Sequence, residues 1–296
     1  MIPTTRRPLD LAGFWVLFGL ALLFGVNNVL IKLGNAGLQP VFFAGARSAL
    51  ALVALTAWML ARRIAFRPDL WREGILAGAL FSGEFLLLFL ALDHTSVVRA
   101  SSIFYAMPIW LALAAHFLFP GERLTPLRLV GFALGFGGVV LTFAGRGDAG
   151  DASLGGDLAA LIAGLCWASI VIVARRTRLG TNAPETQIFW QVLVSTVVLI
   201  AVAPLFGEPL VRDFDATQAI LLLVQALGVV TLGFVLWFWA LSRYQASTVA
   251  SFSFLTPLLS AFLGWLLLGE TITAATPVAL GLLIAGLFLI NRRPKT

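Results

Sequence analysis

Ten apolar runs, separated by short polar segments, dominate the hydrophobic pattern of this chain. Each run is close to the ~20 residues that a helix needs to cross the hydrocarbon core of a bilayer. The runs are continuous, whereas the strands of a membrane barrel alternate, so the pattern favours helices. We predict an all-α membrane protein with ten transmembrane helices. The predicted spans, numbered 1 to 10, are 12–34, 40–61, 71–92, 97–117, 127–145, 156–175, 185–205, 217–241, 247–268 and 274–291.

Positive charge predicts how the chain is oriented. If the N-terminus lies in the cytoplasm, fifteen of the 20 Lys and Arg residues fall in cytoplasmic segments, and three fall on the other side. The remaining two, Lys32 and Arg47, lie within or at the end of spans. Because cytoplasmic loops of membrane proteins carry the excess of Lys and Arg, we expect both termini to be cytoplasmic.

The second half of the chain repeats the first. Residues 82–108 align with 231–257 at a constant offset of 149, which pairs Phe85 with Phe234 and Pro108 with Pro257. Five spans per half is an odd number, so the second copy must enter the membrane inverted. The sequence therefore predicts two inverted five-helix repeats, 12–145 and 156–291, joined by a polar loop at 146–155. Such a repeat, with interrupted helices at matching positions, is typical of secondary transporters.

Composition excludes several other classes. The chain is 60% hydrophobic and 11% charged, with a mean hydropathy of +0.97, whereas soluble domains are about a quarter charged. The single cysteine, Cys166, excludes an intrachain disulfide and a cysteine metal cluster, and two histidines argue against a histidine site. The positive charge lies between spans, which argues against nucleic acid. We expect no enzyme activity, cofactor or metal.

A carboxylate in the middle of span 3, Glu84, is the most unusual polar residue, because ionisable groups inside a bilayer are costly. It could bind a substrate ammonium or couple transport to protons. Equally, it could be a buried neutral carboxyl, or pair with Arg47 or Lys32 to hold the bundle. Its repeat counterpart is Gly233, so Glu84 breaks the pseudosymmetry between the halves.

Three further polar residues lie within spans 1 and 2. Asn27 and Asn28 are adjacent, so their side chains diverge by about 100° on a helix. Arg47 in span 2 could bind a substrate carboxylate, and the asparagines could bind substrate polar groups. For all three, hydrogen bonds or ion pairs between helices are the favoured alternative.

Aromatic and hydroxyl side chains recur in both halves, and they could together line a site for an apolar side chain with a polar head group. The alternative is that individual aromatics face lipid or fill the core. The residues that we select as lining candidates are Ser101, Tyr105, Trp110, Trp167, Trp190, Trp237, Ser251 and Ser253.

Helix-bending residues also match between the halves. Pro108 and Pro257 each remove a hydrogen bond in mid-span. Gly78 and Gly83 repeat the spacing of Gly228 and Gly233 in spans 3 and 8. We predict that these six residues are hinges, with static packing as the alternative.

The order of these features resembles the EamA-like branch of the drug/metabolite transporter superfamily. Each half contains a Pro, an apolar run, a Gly-Glu pair (Gly121-Glu122 and Gly269-Glu270) and a Gly-rich last span. At the start of the halves, Phe24 pairs with Trp167. The resemblance implies export of metabolites or drugs across the bacterial inner membrane. Within the family, the Trp- and Phe-rich spans look most like the YddG-type aromatic amino-acid exporters.

The resemblance leaves alternatives open. Small multidrug-resistance proteins of the same superfamily use a glutamate in span 1, where this chain has none, so cation antiport by that route is doubtful. A small metabolite, most simply an amino acid with an aromatic or apolar side chain, is the expected substrate; other metabolites or apolar drugs remain possible.

Sparse polar groups disfavour a channel, and a membrane enzyme would need clustered acid, base or metal ligands. Spans 5 and 10 suit close packing, in a monomer or a homodimer.

Overall fold

A computed structural model describes residues 9–118, 125–144, 153–207, 209–244, 252 and 255–291. Within these residues the secondary structure is helical, and the extended pairing between Leu38 and Val211 is a single isolated bridge. The described part of the first half contains six α-helices, because a break within span 4 divides that span into two of them. These are α1 (Leu11–Gly37), α2 (Pro40–Ala61), α3 (Trp71–His94), α4 (Val97–Phe104), α5 (Met107–Leu118) and α6 (Pro126–Ala144).

The second half differs from the first in span 8, where a π-helix, Val224–Gly233, separates two α-helices. The α-helices of this half are α7 (Leu154–Arg176), α8 (Pro184–Val202), α9 (Ala216–Leu223), α10 (Phe234–Arg243), α11 (Leu255–Leu268) and α12 (Ala275–Asn291). Short 3-10 helices occur at Pro68–Leu70, Arg178–Thr181 and Ala203–Phe206.

Eight of the described helical stretches are long and apolar enough to cross a membrane, and two shorter apolar helices, Leu255–Leu268 and Ala275–Ile290, follow them. Large apolar side chains point outward, such as Val53 at 68% exposure and Phe117 at 77%. A surface of this kind is stable only in lipid. The all-α, membrane-spanning character predicted from the sequence is confirmed. The eight long stretches lie at predicted spans 1 to 8, and the two shorter helices lie at predicted spans 9 and 10.

Glycines allow spans 5 and 10 to pack in close contact. A Cβ on Gly286 would lie 2.5 Å from the backbone oxygen of Gly131, and one on Gly138 would lie 2.6 Å from that of Ala279. Small residues of this kind let helix backbones approach in membranes. These glycines of α6 and α12 therefore serve a contact within the chain.

Loop residues gather in two groups, as expected of a chain that crosses repeatedly. At one end, Lys32 contacts Glu270 and Thr95, and Thr95 contacts Asp157. At the other end, the hydroxyl of Tyr244 donates to Asp10 at 2.8 Å, and Arg67 contacts Asn182. The charge pattern assigns the first group to the predicted outer end and the second to the predicted cytoplasmic end.

Candidate functional site

A cavity lies between helices of both halves, bordered by residues near the middle of their spans. The lining residues come from spans 1, 3, 4, 6 and 8. They are Phe24, Asn27, Glu84, Phe85, Leu88, Phe104, Tyr105, Trp167, Val229, Phe234 and Trp237.

Much of the lining consists of residues that correspond in the sequence repeat. Phe24 corresponds to Trp167, Phe85 to Phe234, and Leu88 to Trp237, and all six line the cavity. The cavity therefore lies where equivalent faces of the two halves meet. Its walls at these positions are apolar in both halves.

Among the described lining residues, the amide, carboxyl and hydroxyl groups all come from the first half. Asn27, Glu84 and Tyr105 line the cavity, and their repeat counterparts are Ile170, Gly233 and Phe254. The counterparts carry no polar side chain. The described lining is consequently two-sided. The first half contributes amide, carboxyl and hydroxyl groups, and the second half contributes aromatic and apolar side chains, with the indole N–H groups as their only polar atoms.

Aromatic contacts fix the shape of the apolar walls. The Trp167 ring stacks on Phe104, with 5.2 Å between centroids, and meets Tyr105 edge-on at 5.9 Å. Phe24 contacts Trp237 at 6.0 Å and Phe234 at 5.6 Å. Stacked and edge-to-face pairs of this kind are favourable. These side chains form a preformed surface for an apolar or aromatic group.

Glu84 is the one carboxylate among the described lining residues. Its side chain is 3% exposed, and it makes no ion pair or hydrogen bond with the described part of the chain. Arg47 interacts with it electrostatically, but without a hydrogen bond or an ion-pair contact, so the Glu84 oxygens remain available to a bound ligand. Asn27, on the same polar side, is 5% exposed, and its side-chain oxygen has no partner among the described residues.

Arg47 lies behind the cavity wall and is fully buried. Its Nη1 donates to Gln225 at 3.2 Å, and its guanidinium stacks over the rings of Phe85 and Phe89, at 4.0 and 4.8 Å from their centroids. Gln225 in turn donates to the backbone oxygen of Asn27 at 3.2 Å. Arg47 thus ties span 2 to span 8, with Phe85 between it and the cavity.

Asn28 and Ser101 belong to a bridge between helices. The Asn28 side-chain nitrogen donates to the hydroxyl of Ser101 at 2.9 Å and to that of Ser260 at 3.3 Å. Ser260 donates to the backbone oxygen of Gly25 at 3.1 Å. This cluster joins spans 1, 4 and 9, and Asn28 and Ser101 are fully buried.

Two tryptophans selected from the sequence lie elsewhere. Trp190 fills a space against Gly74 at the predicted cytoplasmic end, where it also contacts Phe66. Trp110 packs edge-on against Phe136 of α6, at 4.9 Å. Both belong to helix contacts outside the cavity. Ser251 and Ser253 lie outside the described residues.

The hinge candidates divide into three groups. Span 4 is broken just before Pro108, since α4 ends at Phe104 and α5 begins at Met107; Pro257 lies near the described start of α11. Gly228 and Gly233 lie in the π-helix of span 8. Gly78 and Gly83 lie in regular helix; a Cβ on Gly78 would come within 2.5 Å of Val194, whereas one on Gly83 would meet Cys166 at an ordinary 3.5 Å. Gly78 is therefore needed for packing.

Several residues of the site were not selected from the sequence. Phe24, Phe85 and Phe234 could have been predicted as lining residues, because each aligns with another aromatic residue in the repeat. Phe104 precedes Tyr105, just before the break in span 4. Leu88 and Val229 carried no signal, since an apolar residue on an apolar helix does not reveal its direction. Gln225 could have been noticed as a lone amide in the apolar run 219–230.

The fold defines a class, the multi-pass helical membrane proteins, and a cavity between inverted halves is typical of the transporters in this class. The chain belongs to the EamA-like transporter family, which it matches over residues 11–144 and 154–292. The membership predicted from the sequence is confirmed. The protein is a transporter and not an enzyme.

Relatives match over nearly the whole chain. A probable amino-acid metabolite efflux pump of Salmonella typhimurium is 26% identical over 286 residues, covering 94% of this chain and 93% of the relative. The uncharacterized transporter YvbV of Bacillus subtilis is 28% identical, covering 99% of this chain and 94% of the relative. A solved structure titled "Crystal structure of protein" superposes with a TM-score of 0.67 at 22% identity, covering 94% of this chain and 97% of that chain. It shares the fold.

Proposed function

We propose that this protein is a secondary transporter that exports small metabolites, foremost amino acids with aromatic or apolar side chains, by alternating access. The observation that carries the proposal is the two-sided cavity, with aromatic walls and a polar side at Asn27 and Glu84. A molecule with an apolar body and a polar head matches both sides.

The direction and substrate class have independent support. The Salmonella relative is named a probable amino-acid metabolite efflux pump, and it matches over nearly the full length of both chains. The bacterial relatives also support a location in the inner membrane. The excess of Lys and Arg between alternate spans supports cytoplasmic termini.

Alternating access is supported by where the helices are interrupted. Span 4 breaks between Phe104 and Met107, and span 8 contains a π-helix; both interruptions border the cavity. Broken helices at a midplane site are a recurrent feature of secondary transporters. Each half could then turn about these points, so that the cavity opens to one side at a time.

The experiment is counterflow of labelled amino acids in proteoliposomes, with and without a pH gradient. We expect saturable movement of Phe, Tyr or Trp, and we expect Trp167→Ala and Trp237→Ala to weaken it by about tenfold, the effect of losing one aromatic contact of about 1–1.5 kcal/mol. Trp265→Ala is the matched control, because Trp265 is 49% exposed on the bundle surface. If no amino acid moves, the substrate proposal is wrong, and a screen of other metabolites and apolar drugs follows.

A further inference from the structure

We infer that the cavity recognises the ammonium group of its substrate and provides no counter-charge for a carboxylate. Amines, amides and esters that carry an apolar body would then bind better than the corresponding free amino acids. This inference rests on the proposed function, because it assigns a head-group preference to the same cavity.

The first observation concerns the charge that is present. Glu84 lines the cavity, is almost fully buried, and has no ion pair or hydrogen bond within the described residues. A ligand ammonium would neutralise this carboxylate and donate to it. Hydrogen bonds between two charged groups are roughly twice as strong as neutral ones.

The second observation is a hydrogen-bond chain that sets the direction of Asn27. Ser260 donates its single hydroxyl proton to the Gly25 backbone oxygen, so it must accept from the Asn28 side-chain nitrogen. The Asn28 side-chain oxygen is then directed at Asn27, whose nitrogen donates to it at 3.5 Å.

The consequence is that Asn27 keeps its side-chain oxygen free. That oxygen is buried and has no partner in the described part of the chain. Asn27 of span 1 and Glu84 of span 3 therefore both offer hydrogen-bond acceptors at the cavity. An ammonium, with three donors and no acceptor, is the complementary group.

The third observation is that no cation is among the described lining residues, although Arg47, packed against Phe85, has its Nε and Nη2 without a described hydrogen-bond partner. Phe85 and Phe89 stack on the Arg47 guanidinium, and Gln225 accepts from its Nη1. At the predicted outer end, Lys32 pairs with Glu270 and Arg99 pairs with Asp157.

The segment 245–254, of which the structure describes Phe252 alone, has no Lys or Arg in its sequence. It leads into span 9 and contains the repeat counterparts of the α4 residues. Among the described lining residues, a substrate carboxylate would meet only neutral donors, from Tyr105, Asn27 and the two tryptophans, and it would be repelled by the Glu84 carboxylate.

The test compares five related ligands by calorimetry on the full-length protein in nanodiscs. They are phenylalanine, phenylalaninamide, phenethylamine, N-acetylphenylalanine and hydrocinnamate. We expect phenylalaninamide and phenethylamine to bind at least about tenfold more tightly than N-acetylphenylalanine and hydrocinnamate, because one charge-assisted hydrogen bond contributes about that much to affinity. The affinity for phenylalanine should lie between the two pairs.

Two variants connect this order to the named residues. Glu84→Gln should abolish the preference for amines while leaving the affinity for N-acetylphenylalanine unchanged or higher. Asn27→Leu should weaken the amines alone. Glu185→Gln is the matched control, since Glu185 lies in the first turn of α8 and not at the cavity.

The outcomes separate the inference from the proposed function. If phenylalanine binds and is transported while phenylalaninamide and phenethylamine do not bind, the carboxylate is required; the inference is overturned and the function stands. The inference is also overturned if N-acetylphenylalanine binds as well as the amines. If none of the ligands binds and no amino acid moves in counterflow, the inference and the proposed function are both wrong. The ligand order in the unaltered protein decides the question even if a variant fails to fold.

Discussion

At the scale of single residues, the cavity separates groups that a ligand can reach from groups that hold the helices. Asn27 has a side-chain oxygen without a described partner, and Glu84 makes no hydrogen bond within the described residues, whereas Arg47 and Asn28 bind partners on other helices. Gln225 from span 8 reaches Arg47, and Ser101 and Ser260 reach Asn28. The Nε and Nη2 of Arg47 also lack a described acceptor, so it is the position at the cavity that distinguishes Glu84 and Asn27 from Arg47.

Gln225 provides a test of the structural role of Arg47. Replacing it by leucine removes the hydrogen bonds to Arg47 and to the Asn27 backbone oxygen, and leaves a buried guanidinium without a described acceptor. We expect Gln225→Leu to reduce stability by about 2 kcal/mol, the value of a hydrogen bond to a charged group. Thermal unfolding in detergent measures this loss.

The control for this substitution is Gln218→Leu. The Gln218 side chain makes one long hydrogen bond, at 3.4 Å to the backbone oxygen of Leu33. Its replacement should change the unfolding temperature less. Equal effects of the two substitutions would contradict a special role for the contact between Arg47 and Gln225.

At the scale of helices, spans 4 and 8 are interrupted where they border the cavity. The proline ring removes the donor at Pro108, and the helix ends at Phe104, so that Tyr105 and Ala106 form a turn. In span 8 the π-helix contains Gln225, which binds Arg47, and Val229, which lines the cavity. Single π-turns often occur at functional sites, and this one extends over ten residues.

The break in span 4 can be removed by Pro108→Ala. Alanine restores the donor and favours a continuous helix, which would hold Phe104 and Tyr105 in one geometry. We expect the transport rate to fall while ligand affinity changes little, because the conformational step is impaired and the lining residues remain. Counterflow rates and calorimetry on the same preparation separate the two quantities.

Pro126→Ala is the control, since Pro126 begins α6, a position where proline breaks no hydrogen bond. Transport by this variant should equal that of the unaltered protein. A normal rate in Pro108→Ala would show that the broken helix is static packing and not a hinge.

At the scale of the whole molecule, the predicted outer end is closed by contacts between the halves. Glu270, from the second half, accepts from the backbone nitrogens of Val97 and Val98 at the start of α4, at 2.7 and 3.0 Å, and pairs with Lys32 at 3.4 Å. A carboxylate is favourable at a helix N-terminus. Arg99 and Asp157, also from opposite halves, form a buried pair at 2.5 Å.

Alternating access requires this end to open, and a cross-link tests the requirement. A Cβ on Gly264 of α11 would lie 3.3 Å from the Cβ of Val97, close to the spacing of disulfide-bonded cysteines. In a Cys166→Ala background, oxidation of the Val97→Cys, Gly264→Cys pair should arrest counterflow, and reduction should restore it.

The matched controls are the single variants Val97→Cys and Gly264→Cys in the same background. Neither can form the cross-link within the chain, so both should keep transporting after oxidation. Undiminished counterflow in the oxidised Val97 and Gly264 pair would argue against movement at this end.

The sequence by itself determined the class of this protein. The length and apolarity of the runs predict helices in a membrane, since a bilayer offers the backbone no other hydrogen-bond partners. The repeat, Pro108 and the aligned aromatics were sufficient to predict the family, and the cost of a charge in lipid was sufficient to single out Glu84.

Only the tertiary structure decided which way each side chain faces. On a helix that is apolar on every side, periodicity does not separate lipid, core and cavity, so Trp167 and Trp190 were equivalent in the sequence. In the fold, Trp167 lines the cavity and Trp190 fills a gap against Gly74. Likewise, Arg47 could have faced a substrate until its neighbours were known. Contacts between residues distant in the chain, such as Arg47 with Gln225, set its role because each depends on how several helices pack together.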